Sequence, residues 1–314
     1  EAGLTEFAMG KLINIGSLCI DRVYRVPNIA AQGETVTSAS WATFSGGKGL
    51  NQSIAAAKAG ASVEHVGCVG SDGDELIAEL GKAGISSRFV KVGGAPSGHA
   101  VIQVDEDGRN SIVISAGANK ELDSELIQDA ILRLDDNDWL LLQNETNGIA
   151  EAIELAAQEG KKVAINIAPA DERMFGYPLS KVALIIVNEL EAMALSSTPS
   201  PQLAFDWLIN AYPKIDIVLT LGEEGVWSYR AKDSARKGMG SFNIDATDET
   251  AAGDSFIGYL MATLVAGRDL HESITLASAA GALATTKAGA VDSIPSLDAV
   301  KALAGEQELK TLDL

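Results

Sequence analysis

The sequence predicts an α/β fold in which a parallel sheet is covered by helices and a smaller sheet projects from it. Three observations predict this. Short apolar runs bounded by polar residues or Gly recur: "DWLLLQ" (138–143), "KKVAINIA" (161–168), "VALIIVN" (182–188) and "IDIVLTLG" (215–222). Lacking alternation, they read as strands buried on both faces. Helical stretches at 123–133, 148–159 and 201–211 separate most of them, and such alternation builds a parallel sheet. Residues 20–45 and 97–115 break the rhythm with consecutive β stretches such as "HAVIQVDEDGRNSIVIS", in which "EDG" is a hairpin turn.

The remaining elements follow in order. "KLINIG" (11–16) is a short strand ending in Gly, and "LNQSIAAAKAG" (50–60) is an Ala-rich helix closed by Gly60. "ASVEHVGCVG" (61–70) is the next strand. "GCVGSDGDE" (67–75) has glycines three apart but is no GxGxxG; it reads as a turn into a helix. "DSFIGYLMATLVAG" (254–267) has helical spacing. Without repeats, low-complexity tracts or a clear linker, residues 11–314 form one domain, with the small sheet made from insertions.

The 314 residues, 46% hydrophobic and 21% charged, suffice for a large core. A formal charge of −19 argues against nucleic acid or an anionic membrane as the main partner. A local anion site remains compatible with it. Cys19 and Cys68 form no CxxC pair, which fits a reducing cytoplasm. His65, His99 and His271 make no metal motif; His99 stands apart because it lies in the projecting sheet. No apolar run approaches membrane-spanning length. The opening "EAGLTEFAMG" lacks the basic and apolar regions of a secretory signal. Residues 1–8 read as a cloning scar before a start at Met9, because Glu-Phe is what a common restriction site encodes.

Three stretches could carry chemistry. In "FSGGKGLNQS" (44–53) the glycines let backbone approach a ligand, Lys48 is the lone charge and Asn51 opens a helix. It is either a helix-capping turn or a substrate cradle, with Lys48 and Asn51 donating to hydroxyls; it is no P-loop, since Gly follows Lys48. In "TDETAAGDSFIG" (247–258), Ala251, Ala252 and Gly253 offer only backbone N–H groups at a helix start, which would form an anion site. Asp254 is then either a plain helix cap or a base beside that site. Asn188 and Glu191 in "NELE" make either a capping box or a holder of hydrated Mg²⁺.

Together and in this order, "GGKGLN" (46–51) and "DETAAGDSF" (248–256) resemble the two signatures of the PfkB carbohydrate kinases, the ribokinase branch most closely. "GSLCIDRVYRVPNIAAQGETV", "SGHAVIQVDEDGRNSIVISAGAN", "NELE" and "TLGEEGVW" match in order and spacing, so the resemblance runs from Lys11 to Pro295. It implies a ribokinase-like three-layer α/β/α sandwich with a mainly parallel central sheet and a small β-sheet lid. It implies transfer of the γ-phosphoryl group of ATP to a sugar hydroxyl, with D-ribose, giving D-ribose 5-phosphate, as the leading substrate. The alternatives are a kinase for another sugar or a nucleoside, and a non-catalytic sugar-binding protein.

By match, Asp254 is the base, and Ala251, Ala252 and Gly253 form the anion hole. Asp21, Gly47, Lys48, Asn51 and Glu145 correspond to sugar-binding positions. Ala100, Ile102 and Ile112 of the lid would cover the sugar's apolar face. Asn188, Thr220, Gly222, Gly225 and Ser278 fall on the nucleotide side, and Glu191 in the region linked with Mg²⁺. Asp248, Thr250, Ala284, Lys287, Gly289 and Ser293 match a monovalent-cation site, normally for K⁺. A cytoplasmic homodimer joined through the lid is the implied assembly. Three positions depart from the pattern: Cys19 replaces an Asn that usually touches the sugar, "NIAPA" (166–170) replaces "NPAPA", and Ser255 stands for Thr. A thiol is a poor hydrogen-bond partner, so Cys19 bears on which sugar is taken.

Overall fold

A computed structural model describes residues 10–312 and Leu314. The expected scar and the start at Met9 lie outside them.

β1 (Lys11–Ile15) opens the main sheet, and β2 (Cys19–Arg25) and β3 (Ser40–Gly46) leave it at once. α1 (Lys48–Lys58), β4 (Ser62–Val69), α2 (Asp74–Lys82) and β5 (Ser86–Val92) return to it. β6 (Gly98–Val104) and β7 (Asn110–Ser115) form the second excursion. α3 (Ser124–Ile131), β8 (Trp139–Gln143), α4 (Ile149–Gln158), β9 (Lys162–Asn166), β10 (Leu184–Asn188), α5 (Glu189–Ser196), α6 (Pro201–Ala211) and β11 (Asp216–Thr220) continue the alternation. β12 (Val226–Arg230), β13 (Ala235–Met239), α7 (Ala252–Val265), α8 (Leu270–Ala284), α9 (Leu297–Glu306) and β14 (Thr311–Leu312) complete the chain.

The main sheet has ten strands in the order β14-β13-β12-β11-β10-β9-β8-β1-β4-β5. β5 through β11 pair in parallel, and β11 to β14 pair antiparallel at one edge. Each face of the sheet buries its own core. Ile13 and Ile15 point into one, with Ile127 of α3, Ile153 of α4, Ala192 of α5 and Phe205 of α6. Leu12 points into the other, with Ile54 of α1, Leu80 of α2, Tyr259 of α7, Ile274 of α8 and Val300 of α9. The result is the expected three-layer sandwich. The antiparallel edge is an addition to the sequence expectation.

The second sheet has the order β3-β2-β6-β7, with β2 and β6 parallel and the outer pairs antiparallel. Its strands come from the two stretches that broke the alternation, and Gly108 turns the β6–β7 hairpin with φ 80°.

α1 and α7 cross closely. A Cβ on Gly258 would lie 2.3 Å from Ala55 Cβ and 2.7 Å from Ala56 N, so only a hydrogen fits between the helices. This crossing stands one turn below Asp254 on α7 and one turn below Asn51 on α1.

Candidate active site

The glycine-rich stretch opens α1 against the end of β1. Gly47 caps the helix at φ 98°, a left-handed conformation that favours glycine. Gly49 passes so near β1 that a Cβ would sit 2.3 Å from Ser17 N. The neighbouring polar groups are tied together: Glu145 Oε2 accepts from Lys48 N at 3.0 Å and from Ser17 Oγ, and Ser17 Oγ accepts from Gly49 N at 3.2 Å. Burial pushes the Lys48 ammonium towards neutrality, but Asp254, Glu145 and Glu191 around it outweigh that and raise its pKa. The cation at this point is therefore secure.

Asp254 is 8% exposed. Asn51 Nδ2 donates to its Oδ2 at 2.9 Å, and Gln52 Nε2 donates to its Oδ1 at 2.9 Å. Asn51 Oδ1 is buried without a partner, which leaves an acceptor for a ligand. Before Asp254, Ala251 holds a left-handed φ of 60°, a strained conformation for a residue with a Cβ. The Ala252 N–H closes onto Glu249 O at 3.2 Å. The N–H groups of Ala251, Gly253 and Asp254 have no acceptor among the described residues. They are open donors at a helix N-terminus, as an anion requires.

Two adjoining cavities meet here. The first, about 190 Å³, is lined by Lys48, Asn188, Glu191, Ala251, Gly253 and Asp254 among others. The second, about 430 Å³, gathers Asn188, Thr220, Gly222, Gly225 and Ser278, all five expected nucleotide-side positions. Ser278 Oγ has no partner there. Glu249, which no sequence pattern marks, lines both cavities.

On the second sheet, Asp21 pairs with Phe44 and Ala100, and Ile102 pairs with Ile112. Since side chains alternate along strands, Cys19, Asp21, Ala100, Ile102 and Ile112 share one face. His99 lies on the other face, its Nδ1 3.1 Å from Ser97 O. Burial, with Glu145 nearby, pushes the Asp21 carboxyl up to about 6. Burial also raises the Cys19 thiol, helped by Glu145 and Asp21, and Asn119 Nδ2 donates to its sulfur at 3.4 Å. Cys19 thus lies on that face as a neutral thiol whose sulfur already accepts one hydrogen bond.

Asn188 and Glu191 form a full capping box: Asn188 N donates to Glu191 Oε2 at 2.9 Å, and Glu191 N donates to Asn188 Oδ1 at 2.8 Å. Glu191 Oε1 receives no hydrogen bond among the described residues, and burial raises the carboxyl's pKa against the pull of Asn188 N–H and Lys48. No cluster of three or more His, Cys, Asp or Glu able to hold a metal occurs among the described residues. A lone buried carboxylate with one free oxygen suits a hydrated Mg²⁺, which needs few protein ligands.

Asp248 joins two loops. Its Oδ1 accepts from Thr250 N at 2.9 Å and Thr250 Oγ1 at 2.6 Å, and its Oδ2 accepts from Gly289 N at 3.0 Å. Burial disfavours this charge, but those donors outweigh it and hold the carboxyl below its usual range. Ser293 Oγ reaches Thr250 O at 3.4 Å, and Lys287 N reaches Ala284 O at 3.5 Å. All six expected cation-site residues therefore lie in these two loops and the adjoining end of α8.

A model of the pfkB family of carbohydrate kinases matches residues 9–297. The chain belongs to that family. As a carbohydrate kinase it is a phosphotransferase acting on an alcohol group. The kinase is 34% identical to a ribokinase from Haemophilus influenzae over 297 residues, 90% of this chain and 94% of the relative. It is 31% identical to a deoxyribokinase from Salmonella typhi, over 90% of this chain and 95% of the relative. The solved structure of Arabidopsis thaliana ribokinase, complexed with ribose and ATP, matches with a TM-score of 0.82 and 25% identity, over 94% of this chain and 98% of that one. No helix among the described residues is long and apolar enough to cross a membrane.

Sequence reasoning missed Ser17, Gln52, Asn119 and Glu249. The first three are buried polar residues whose partners are remote in sequence, and no local pattern marks them.

Proposed function

We propose that this kinase transfers the γ-phosphoryl group of ATP to a hydroxyl of D-ribose, giving D-ribose 5-phosphate. One observation carries the reading: a buried carboxylate, held by two amides, stands beside open N–H donors where two cavities meet. Asp254 takes the proton from the attacking hydroxyl as that oxygen bonds to the γ-phosphorus. The bond from phosphorus to the β-phosphate bridging oxygen breaks, and ADP leaves. The N–H groups at the start of α7 and the Lys48 ammonium stabilise the charge on the phosphoryl oxygens. Glu191 would hold hydrated Mg²⁺, whose contribution when bound is to neutralise the β- and γ-phosphates. Asp248, Thr250, Ala284, Lys287, Gly289 and Ser293 would hold K⁺, whose contribution when bound is a fixed positive charge beside the loop before the anion hole.

Asp21, Lys48, Asn51 and Glu145 bind sugar hydroxyls, with Gly47 allowing close approach and Ala100, Ile102 and Ile112 covering the ring. The working form is a cytoplasmic homodimer joined through the small sheet, where Trp41, Phe44 and Ile112 to Ile114 are exposed.

The test is ADP release measured over a sugar and nucleoside panel, in K⁺, Na⁺ and a large organic cation. Ribose in K⁺ is expected to give the highest kcat/KM. No turnover on any compound overturns the enzyme reading in favour of a sugar-binding protein, and equal rates in the three cations overturn the K⁺ site. A second reading rests on Cys19 and on the similarity to a deoxyribokinase. A thiol is a weak donor and acceptor and rewards a hydroxyl little, so a deoxy sugar would lose little. Higher kcat/KM on 2-deoxyribose than on ribose decides for it.

A further inference from the structure

Gln52 is fully buried in α1, one residue past the sugar-binding signature, and neither the family match nor the proposed chemistry uses it. We propose that it is a positioning residue for the base, an inference that rests on the functional reading above. A carboxylate only accepts, so Asp254 Oδ1 obliges Gln52 to present its NH₂ group, at 2.9 Å. The Gln52 carbonyl must then receive a donor, and Gln143 Nε2 supplies it at 2.8 Å. Gln143 Nε2 also donates to Asn14 Oδ1 at 2.9 Å, and Asn14 Nδ2 donates to Ser53 Oγ at 2.8 Å and Gly49 O at 2.9 Å. Gln52 Nε2 makes a further contact, 3.2 Å to Asn166 Oδ1.

Every amide in this line therefore has one allowed orientation, set by the charge at its end. The line ties the base to β1, β8, β9 and α1. With Asn51 on the other oxygen, it fixes the carboxylate against rotation about its own axis. Burying so many amides is unfavourable unless they are satisfied, and here every amide group of Gln52, Gln143 and Asn14 has a partner except Gln143 Oε1. A leucine would fill the space of Gln52 but orient nothing.

The experiment compares wild type, Gln52→Leu and Gln143→Leu in steady-state kinetics, with thermal melting and calorimetric sugar binding on the same samples. Gln52→Leu should lose about tenfold to a hundredfold in kcat, with KM for sugar and ATP and the sugar affinity within about threefold of wild type. Gln143→Leu, one bond further from the base, should lose less in kcat with the same unchanged KM. Adding Gln52→Leu to Asp254→Asn should cost less than about twofold more, because nothing is left to orient. Wild-type kcat in both single variants, or a KM rise matching the kcat loss, overturns the positioning role. Should Gln52→Leu fail to fold, wild-type kcat in Gln143→Leu overturns it alone. Absence of turnover in wild type overturns the functional reading instead.

Discussion

Replacing Asp254 by Asn keeps the size of the side chain and removes its capacity to take a proton. The expected loss in kcat is about 10²- to 10⁴-fold, with sugar affinity by calorimetry largely kept. The new amide must also turn its NH₂ group towards one of two donors, Asn51 Nδ2 or Gln52 Nε2. A stability loss of about 1–3 kcal/mol should accompany the kinetic one. Asp21 behaves oppositely. Its carboxyl is pushed up from 3.8 to about 6 by burial and Glu145, so the folded state disfavours its anion. That group's contribution to stability is complete below about 3.8 and is lost as pH rises through about 6. Asp21→Asn should therefore melt higher than wild type at pH 7, with the gap closing at pH 4, while sugar KM rises about tenfold or more. Melting curves at both pH values and a sugar titration check it. Lys48, Asn51 and Asp254 were legible because glycines and small residues surround them. Gln52 was not: it lies one residue past the glycine-rich signature, no local pattern marks it, and its partner Asp254 is 202 residues away. Asn119, which holds Leu18 N from 101 residues away, was hidden for the same reason.

Between elements, the α1–α7 crossing sets where Asp254, the proposed base, meets the start of α1. Gly258→Ala places a methyl 2.3 Å from Ala55 Cβ, so α7 must withdraw. About 1–3 kcal/mol of stability should be lost, and kcat should fall with it because Asp254 sits one turn above. Denaturant midpoint and kcat together test this; a stable variant with wild-type kcat would show that the crossing has slack. The parallel strands were readable because burial on both faces makes them continuously apolar, as in "LIIVN" of β10. The antiparallel edge was not: β13 is "ARKGM", with neither an apolar run nor clean alternation. α8, "LHESITLASAAGALA", escaped for a different reason. Its small residues pack on several sides, so no single apolar stripe distinguishes it.

At the scale of the molecule, a chain of formal charge −19 must bind a polyanionic nucleotide. In the proposed reaction it does so locally, with Lys48 and open N–H donors at one helix start. Assembly is the other whole-molecule property. Trp41, 62% exposed, and Ile114, 66% exposed, lie on opposite faces of the small sheet. In the proposed dimer these apolar surfaces are covered. Sedimentation should give twice the chain mass, and Ile114→Asp should give a monomer with higher sugar KM. A monomeric wild type would refute the assembly.

The two excursions that build the small sheet leave the main chain path between β1 and α1 and again between β5 and α3. No strand of one sheet pairs with a strand of the other among the described residues. The face carrying Cys19, Asp21 and Ile112 can therefore vary residue by residue without breaking a hydrogen bond of the central ladder. In the proposed reaction the small sheet would tune the choice of acceptor, while Lys48, Asn51, Glu145 and Asp254 stay with the central sheet and its helices. A substitution on that sheet, at Cys19 for example, would then shift acceptor preference and leave the transfer machinery in place.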